Sequence, residues 1–137
     1  MQERRNNMDA TDKKEITMIE EAYCSFEIAK LLKEKGFDEP CNHYYENNNL
    51  MFSSSLKRRN SYQTNTCSAP THQMAMAWLR EMHYLWIDID PLTNYKWAWS
   101  IWLMNDANFK MGETSQVTTN YKEAVEAALK YALENLI

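Results

Sequence analysis

The sequence predicts an α+β fold, in which three helices pack in two layers on a mostly antiparallel sheet of two hairpins, in the order α-β-β-α-β-β-α. The main observation is the run Lys96–Met104, where aromatic and branched residues alternate between two faces as they do in a strand. Apolar residues at helical spacing follow Ser25 and Pro70 and fill the stretch from Tyr121 onward. Because both faces of Lys96–Met104 are apolar, this strand is either covered on both sides or contacts a partner.

The first part of the chain predicts a helix followed by a hairpin. The helix is expected to begin after Ser25, a favourable N-cap, and to end at Gly36, with Pro40 just beyond. The strands Cys41–Tyr45 and Leu50–Ser54 follow. The asparagines between them favour a tight turn, because Asn tolerates positive φ.

The middle of the chain predicts an irregular segment and then a second helix. Ser53–Ala69 is polar and rich in Ser, Asn and Thr. Pro70 is expected in the first turn of the helix, with Ser68 or Ala69 ahead of it. The inward face of this helix is predicted to comprise Met74, Ala75, Ala77, Trp78, Met82 and Leu85.

The second hairpin is predicted to join Trp86–Asp90 to Lys96–Met104 across a turn at Thr93–Asn94. The more apolar face of its second strand is expected to lie against the helices and consists of Trp97, Trp99, Ile101 and Leu103. Asn105–Thr118 is predicted to be connective.

The last helix has the clearest signature, because Asn120 and Glu123 have the spacing of a capping box. Its inward stripe is Tyr121, Val125, Ala128, Leu129, Ala132, Leu133 and Leu136, and its outward side is Lys122, Glu126, Lys130 and Glu134. The similar stretches Leu31–Glu34 and Trp78–Glu81 leave open whether a helix–strand–strand unit occurs twice.

Composition limits the classes of function. The 137 residues predict a loosely ordered charged leader over residues 1–20 and a single domain over residues 21–137. Two glycines are too few for Gly-rich phosphate loops, and the net charge of −4 disfavours general affinity for nucleic acid. Three cysteines without a CxxC pair, and no apolar run of membrane-spanning length, predict reduced thiols in a cytoplasm.

Three stretches, Ser25–Cys41, Cys67–His83 and Tyr121–Ile137, resemble in the same order a family of small uncharacterised proteins that bacteriophages and prophages of gut bacteria encode. The layout of the second half is also similar to that of phage ABA sandwich domains. The resemblance implies a phage-derived protein in the cytoplasm of the bacterial host. It implies no activity, because the family has no assigned function.

Residue types that bind metals or act as nucleophiles occur without a recognisable spacing. Asp88 and Asp90 share one face of a strand, which is typical of a solvent face as well as of a Mg²⁺ site. Four residues that could meet at zinc, although without the paired knuckles of structural sites, are Cys41, His43, Cys67 and His72. No catalytic residue, metal ligand or cofactor is predicted, and a small enzyme with an unrecognised site is the second alternative.

The favoured hypothesis is a non-enzymatic protein-interaction module that binds a protein partner of unknown identity, such as a host factor, or a second copy of itself. Trp, Tyr, Met and Phe dominate interface energies and are abundant here. The candidate surface is the face of the second hairpin opposite the helices and comprises Trp86, Asp88, Asp90, Trp102 and Met104. The first alternative is a nucleic-acid-binding accessory protein whose contacts are Lys57, Arg58, Arg59 and Tyr62.

Overall fold

The computed structural model describes residues 19–54, 58–105, 109–114 and 116–137, so the predicted leader lies almost entirely outside the described residues. The helices and strands within these ranges are α1 (Phe26–Glu34), β1 (His43–Glu46), β2 (Asn49–Phe52), β3 (Thr66–Ser68), α2 (His72–His83), β4 (Leu85–Pro91), β5 (Trp97–Leu103), β6 (Phe109–Glu113) and α3 (Tyr121–Asn135). A short 3-10 turn, Asn60–Tyr62, precedes β3. The predicted α+β class with three helices is confirmed.

The strands form two three-stranded antiparallel sheets, with the orders β2-β1-β3 and β4-β5-β6. Each predicted hairpin gains a third strand instead of pairing with the other hairpin. The first sheet adds β3, which places Cys67 opposite Tyr45, and the second adds β6 beyond a bulge between Ile101 and Trp102. The third strand pairs with the first strand in one sheet and with the second strand in the other, so the two halves do not share a topology.

The ends of α1 follow from its sequence. Ser25 is the N-cap, and its side chain accepts a hydrogen bond from the Ile28 N–H at 3.3 Å. At the other end Gly36 has φ +96°, and the Phe37 N–H donates to the Leu32 carbonyl at 2.9 Å. This is a Schellman motif, in which glycine takes the left-handed position, as the sequence predicts.

The start of α2 differs from the prediction. Thr71, not Ser68 or Ala69, is the N-cap and accepts from the Met74 N–H at 3.1 Å, so Pro70 lies before the cap and outside the helix. Met74 and Met82 are exposed, and the prediction that they face inward is wrong. The helix buries instead His72, Ala75, Trp78 and Leu79.

The larger core is formed by the second sheet and the buried faces of all three helices. Ile101 and Trp99 are buried there. The Trp99 ring packs on Tyr131 with centroids 5.3 Å apart, and Trp97 packs edge-on to Tyr121 at 5.0 Å. Both tyrosines belong to α3, so the predicted orientation of this strand face toward a helix is confirmed. A smaller core cluster on the first sheet contains Ala29, Tyr45, Cys67 and Ala69.

Candidate functional site

The outer face of the second sheet is the side of β4, β5 and β6 that points away from α3. Antiparallel register places Trp86 directly opposite Trp102, and Asp88 opposite Ser100. Because side chains alternate along a strand, residues two apart share a face while their neighbours enter the core. The structure therefore brings Trp86, Asp88 and Trp102 of the sequence-predicted surface together.

The two indole rings on this face are held in place by their own strands. Trp86 Nε1 donates to Asp88 Oδ1 at 2.9 Å, and Trp102 Nε1 donates to Ser100 Oγ at 3.1 Å. Both indole N–H groups are thus satisfied within the sheet. What the rings offer to a partner is apolar surface, held in a fixed orientation.

Exposure on the outer face is graded. Trp86 is 41% exposed, and Asp90 is exposed as well. Trp102, Asp88 and Met104 are half-buried. An exposed tryptophan beside a half-buried one is an aromatic patch of the kind that marks an interface.

Charges on the outer face are separated along the strands. At the tryptophan end, the Arg80 guanidinium lies 5.7 Å from the Trp86 ring centroid, and Lys110 Nζ lies 5.2 Å from that of Trp102. Asp90 lies opposite Ala98, at the far end of the hairpin. The face therefore has cationic side chains beside bulky indoles at one end, and an aspartate beside a small residue at the other.

The basic cluster predicted as a nucleic-acid contact is only partly within the described residues, because Lys57 lies outside them. The Arg58 guanidinium lies 3.9 Å from the Tyr44 ring centroid, and Arg59 Nη1 donates to the Asp38 carbonyl at 2.8 Å. Tyr62 is 78% exposed. Both arginines thus make contacts within the fold, whereas the tyrosine faces solvent.

The four residues that the sequence suggests as zinc ligands do not meet at one site. Cys41 and His43 line a cleft of about 250 Å³, in which the His43 ring lies between Tyr23 and Phe52. Cys67 is buried on β3. His72, by contrast, belongs to the one group of three neighbouring ligand-type side chains found among the described residues, which also contains Cys24 and Glu126.

This group, called here the Cys24–His72–Glu126 cluster, joins three parts of the chain. One ligand-type atom from each residue lies within 4.8 Å of the others. His72 Nε2 contacts Glu126 Oε2 at 2.7 Å, and the Ser25 N–H donates to the same oxygen at 3.0 Å. Glu126 therefore does not belong to the outward side of α3, as the sequence predicts, but is half-buried between the helices.

The cluster does not contain a reactive thiolate. Burial, and secondly the negative charge of Glu126, raises the pKa of the Cys24 thiol well above its usual value. Burial also opposes ionisation of Glu126, but hydrogen bonds from His72 and Ser25 outweigh it and lower the pKa of that carboxyl. Cys24 is thus a protonated thiol at neutral pH, unsuited to nucleophilic catalysis.

No spacing in the sequence predicts this cluster, because its members are 48 or more residues apart and meet only through the fold. A short bridge between Tyr23 and Thr71 aligns the segment before α1 with the start of α2. The one signal that could have been used is His72 itself, a histidine directly after the N-cap Thr71 and beside an apolar stripe.

No protein-family model, curated protein or solved structure matches this chain. Among the described residues, no helix is both long and apolar enough to cross a membrane.

Proposed function

We propose that this protein is a non-enzymatic interaction module that associates with a second copy of itself through the outer face of the second sheet. The observation that carries the proposal is the cross-strand pair of Trp86 and Trp102, with Trp86 41% exposed. Large aromatic residues presented in this way are the usual centres of interface energy. The resemblance to phage proteins would place such a module in the cytoplasm of the bacterial host.

A second copy is favoured as the partner because the face is complementary to itself. In this arrangement a two-fold axis lies between two stacked sheets, parallel to both and perpendicular to the strands. Rotation about it places the outer face of one copy on that of the other, with the strand directions reversed. In such an interface residue i of one copy contacts residue j of the other, and the reverse contact also forms. Because this axis keeps each strand over the same strand of the other copy, the Trp102 indole would lie over the small Ala98 of that copy, and Trp86 would lie over its Asp90.

Charge supports the same arrangement. The end-for-end contact would place Asp90 of one copy beside Trp86 of the other, whose ring centroid lies 5.7 Å from the Arg80 guanidinium, twice per dimer. Within one chain Arg80 Nε lies 3.0 Å from Glu81 Oε2, an exposed ion pair of the kind that contributes little and can be exchanged at low cost. Opposite charges that meet across an interface fix its register and exclude other registers.

Size-exclusion chromatography with light scattering over a range of protein concentrations tests the proposal. We expect a dimer that Trp102→Ala weakens by at least tenfold in dissociation constant, which corresponds to about 1.4 kcal/mol. Tyr62→Ala, which removes an exposed aromatic residue elsewhere, is the matched control and should leave the dimer unchanged.

Charge exchange then tests the identity of the partner. Asp90→Arg and Arg80→Asp should each weaken the dimer, and the double variant should restore it, because the two positions meet only across the two-fold axis. A protein that stays monomeric at every concentration would overturn the proposal, as would a dimer that Trp102→Ala leaves intact.

A further inference from the structure

The Cys24–His72–Glu126 cluster combines three features that ordinary core packing does not require together. Cys24 is fully buried, His72 is 5% exposed, and Glu126 brings a carboxylate into the same place. Each residue comes from a different part of the chain: the segment before α1, the first turn of α2, and the middle of α3. Charged groups are rarely brought into a core unless they are paired or bind a metal.

His72 supplies an independent observation. Its Nε2 contacts Glu126, but among the described residues no group forms a hydrogen bond with its Nδ1, which is buried. Buried polar atoms are nearly always satisfied, and an exception points to a water, an ion or a functional role. The described part of the fold therefore does not satisfy His72 completely, and the unsatisfied nitrogen is the one on the other side of the ring from Glu126.

We propose that Cys24, His72 and Glu126 form a binding site for a zinc-class divalent cation that links the segment before α1 to α2 and α3. Thiolate, imidazole and carboxylate together select zinc over Mg²⁺ or Ca²⁺, which prefer oxygen ligands alone. One thiolate and one carboxylate also balance the two charges of the cation.

The geometry requires small adjustments. Zinc holds its ligand atoms about 2.0–2.3 Å away, which places tetrahedral ligands about 3.3–3.8 Å from one another. One ligand-type atom of each cluster residue lies within 4.8 Å of the others. The distance of 2.7 Å between His72 Nε2 and Glu126 Oε2 would have to lengthen for the cation to enter. A fourth ligand can come from water or from the Thr71 carbonyl oxygen, 3.9 Å from Cys24 Sγ.

Binding would exchange one cation for one proton. The cation forms a bond to Cys24 Sγ, the S–H bond breaks, and the proton leaves to solvent, with no change in oxidation state. Because the thiol is fully buried, we infer a closed structural site that fills during folding or local opening, as structural zinc sites do. This site is separate from the outer face and does not depend on the proposed function.

The test uses untagged full-length protein, stripped with a chelator and titrated with Co²⁺, which reports a thiolate ligand by a charge-transfer band in the near ultraviolet. We expect one equivalent of Co²⁺ to produce the band, Zn²⁺ to displace it, and Zn²⁺ to raise the melting temperature. Cys24→Ala should abolish the band, and Glu126→Gln should weaken Zn²⁺ binding by at least about tenfold, because loss of a direct ligand costs no less than loss of a residue that only orients one.

Cys67→Ala is the matched control, because Cys67 is also a buried thiol but lies in the other core cluster, and its band should match that of the wild type. A wild-type protein without the band and without a response to Zn²⁺ would overturn the proposal. A band that persists in Cys24→Ala would overturn it as well. If Cys24→Ala does not fold, Glu126→Gln and the wild-type stoichiometry decide the question.

Discussion

Gly112 lies where β6 passes closest to α3, and a methyl group at this position would overlap a tyrosine ring. A Cβ built on Gly112 would lie 2.5 Å from Tyr131 Cε1 and 3.0 Å from Cδ1. The ring is not free to withdraw, because its centroid lies 5.3 Å from that of the buried Trp99. Overpacking of this kind costs about 1–3 kcal/mol, and we expect Gly112→Ala to lower the free energy of unfolding by that amount.

Urea unfolding followed by circular dichroism measures this loss, and a second substitution tests its cause. Tyr131→Leu alone costs stability because it removes the contact with Trp99. In the Tyr131→Leu background, however, the methyl group that Gly112→Ala adds no longer contacts a ring. Its cost in free energy of unfolding should then fall below about 0.5 kcal/mol, the usual error of additivity between independent sites.

The other glycine of the chain provides the control. A Cβ at Gly36 would meet nothing within 4 Å, but its φ of +96° is unfavourable for alanine. Gly36→Ala should therefore cost about 1–2 kcal/mol through the backbone, equally with Tyr131 or Leu at position 131. If Gly112→Ala costs the same in both backgrounds, the close approach to Tyr131 is not its cause, and the reasoning is refuted.

Three further predictions concern single positions. Trp99→Ala should cost about 3–5 kcal/mol of unfolding free energy and Trp102→Ala about 1 kcal/mol or less, and equal losses in urea melts would show that both sheet faces are core. Tyr95 is 92% exposed and follows Asn94 with positive φ at both residues, so Tyr95→Gly should stabilise the hairpin by about 0.5–1 kcal/mol in thermal melts. Asn120 Oδ1 accepts from the Lys122 N–H at 2.7 Å and caps α3. Asn120→Ala should cost about 1 kcal/mol and Asn120→Gly only a few tenths; similar losses would argue against the cap.

The parts of the fold that the sequence predicts are those that local patterns determine. Ser25, Gly36 and Asn120 end or begin helices through contacts within a few residues, and the apolar stripe of α3 is continuous. The sequence does not predict β3 or β6, because these strands form by pairing with a distant strand rather than through their own composition. β3 is only three residues long, and β6 contains Lys110, Gly112 and Glu113. Strand formation in such segments depends on context more than on propensity.

The candidate sites divide in the same way. The alternation of Trp86–Asp90 and Lys96–Met104 is a local pattern, and it sufficed to predict which side chains share the outer face. The partial burial of Trp102 was not predictable, because it depends on neighbours such as Lys110 on the unpredicted strand β6. Helical periodicity predicts that Glu126 faces solvent. It carries no information about the Ser25 N–H, which is 101 residues away in the sequence and donates to the Glu126 carboxylate.

The position of α3 also has a consequence for the order of events during synthesis. Glu126 accepts a hydrogen bond from the Ser25 N–H, 101 residues away in the sequence, and Lys130 contacts Glu27 at 3.1 Å. Helix α1 thus packs against a helix that is synthesised after all the described strands. Until α3 emerges, the buried face of β5, with Trp99 and Ile101, has no helix of its own to cover it. Contacts so distant along the chain form slowly, and apolar strands left uncovered in the meantime invite aggregation. During synthesis these strands therefore expose apolar surface until α3 has been made.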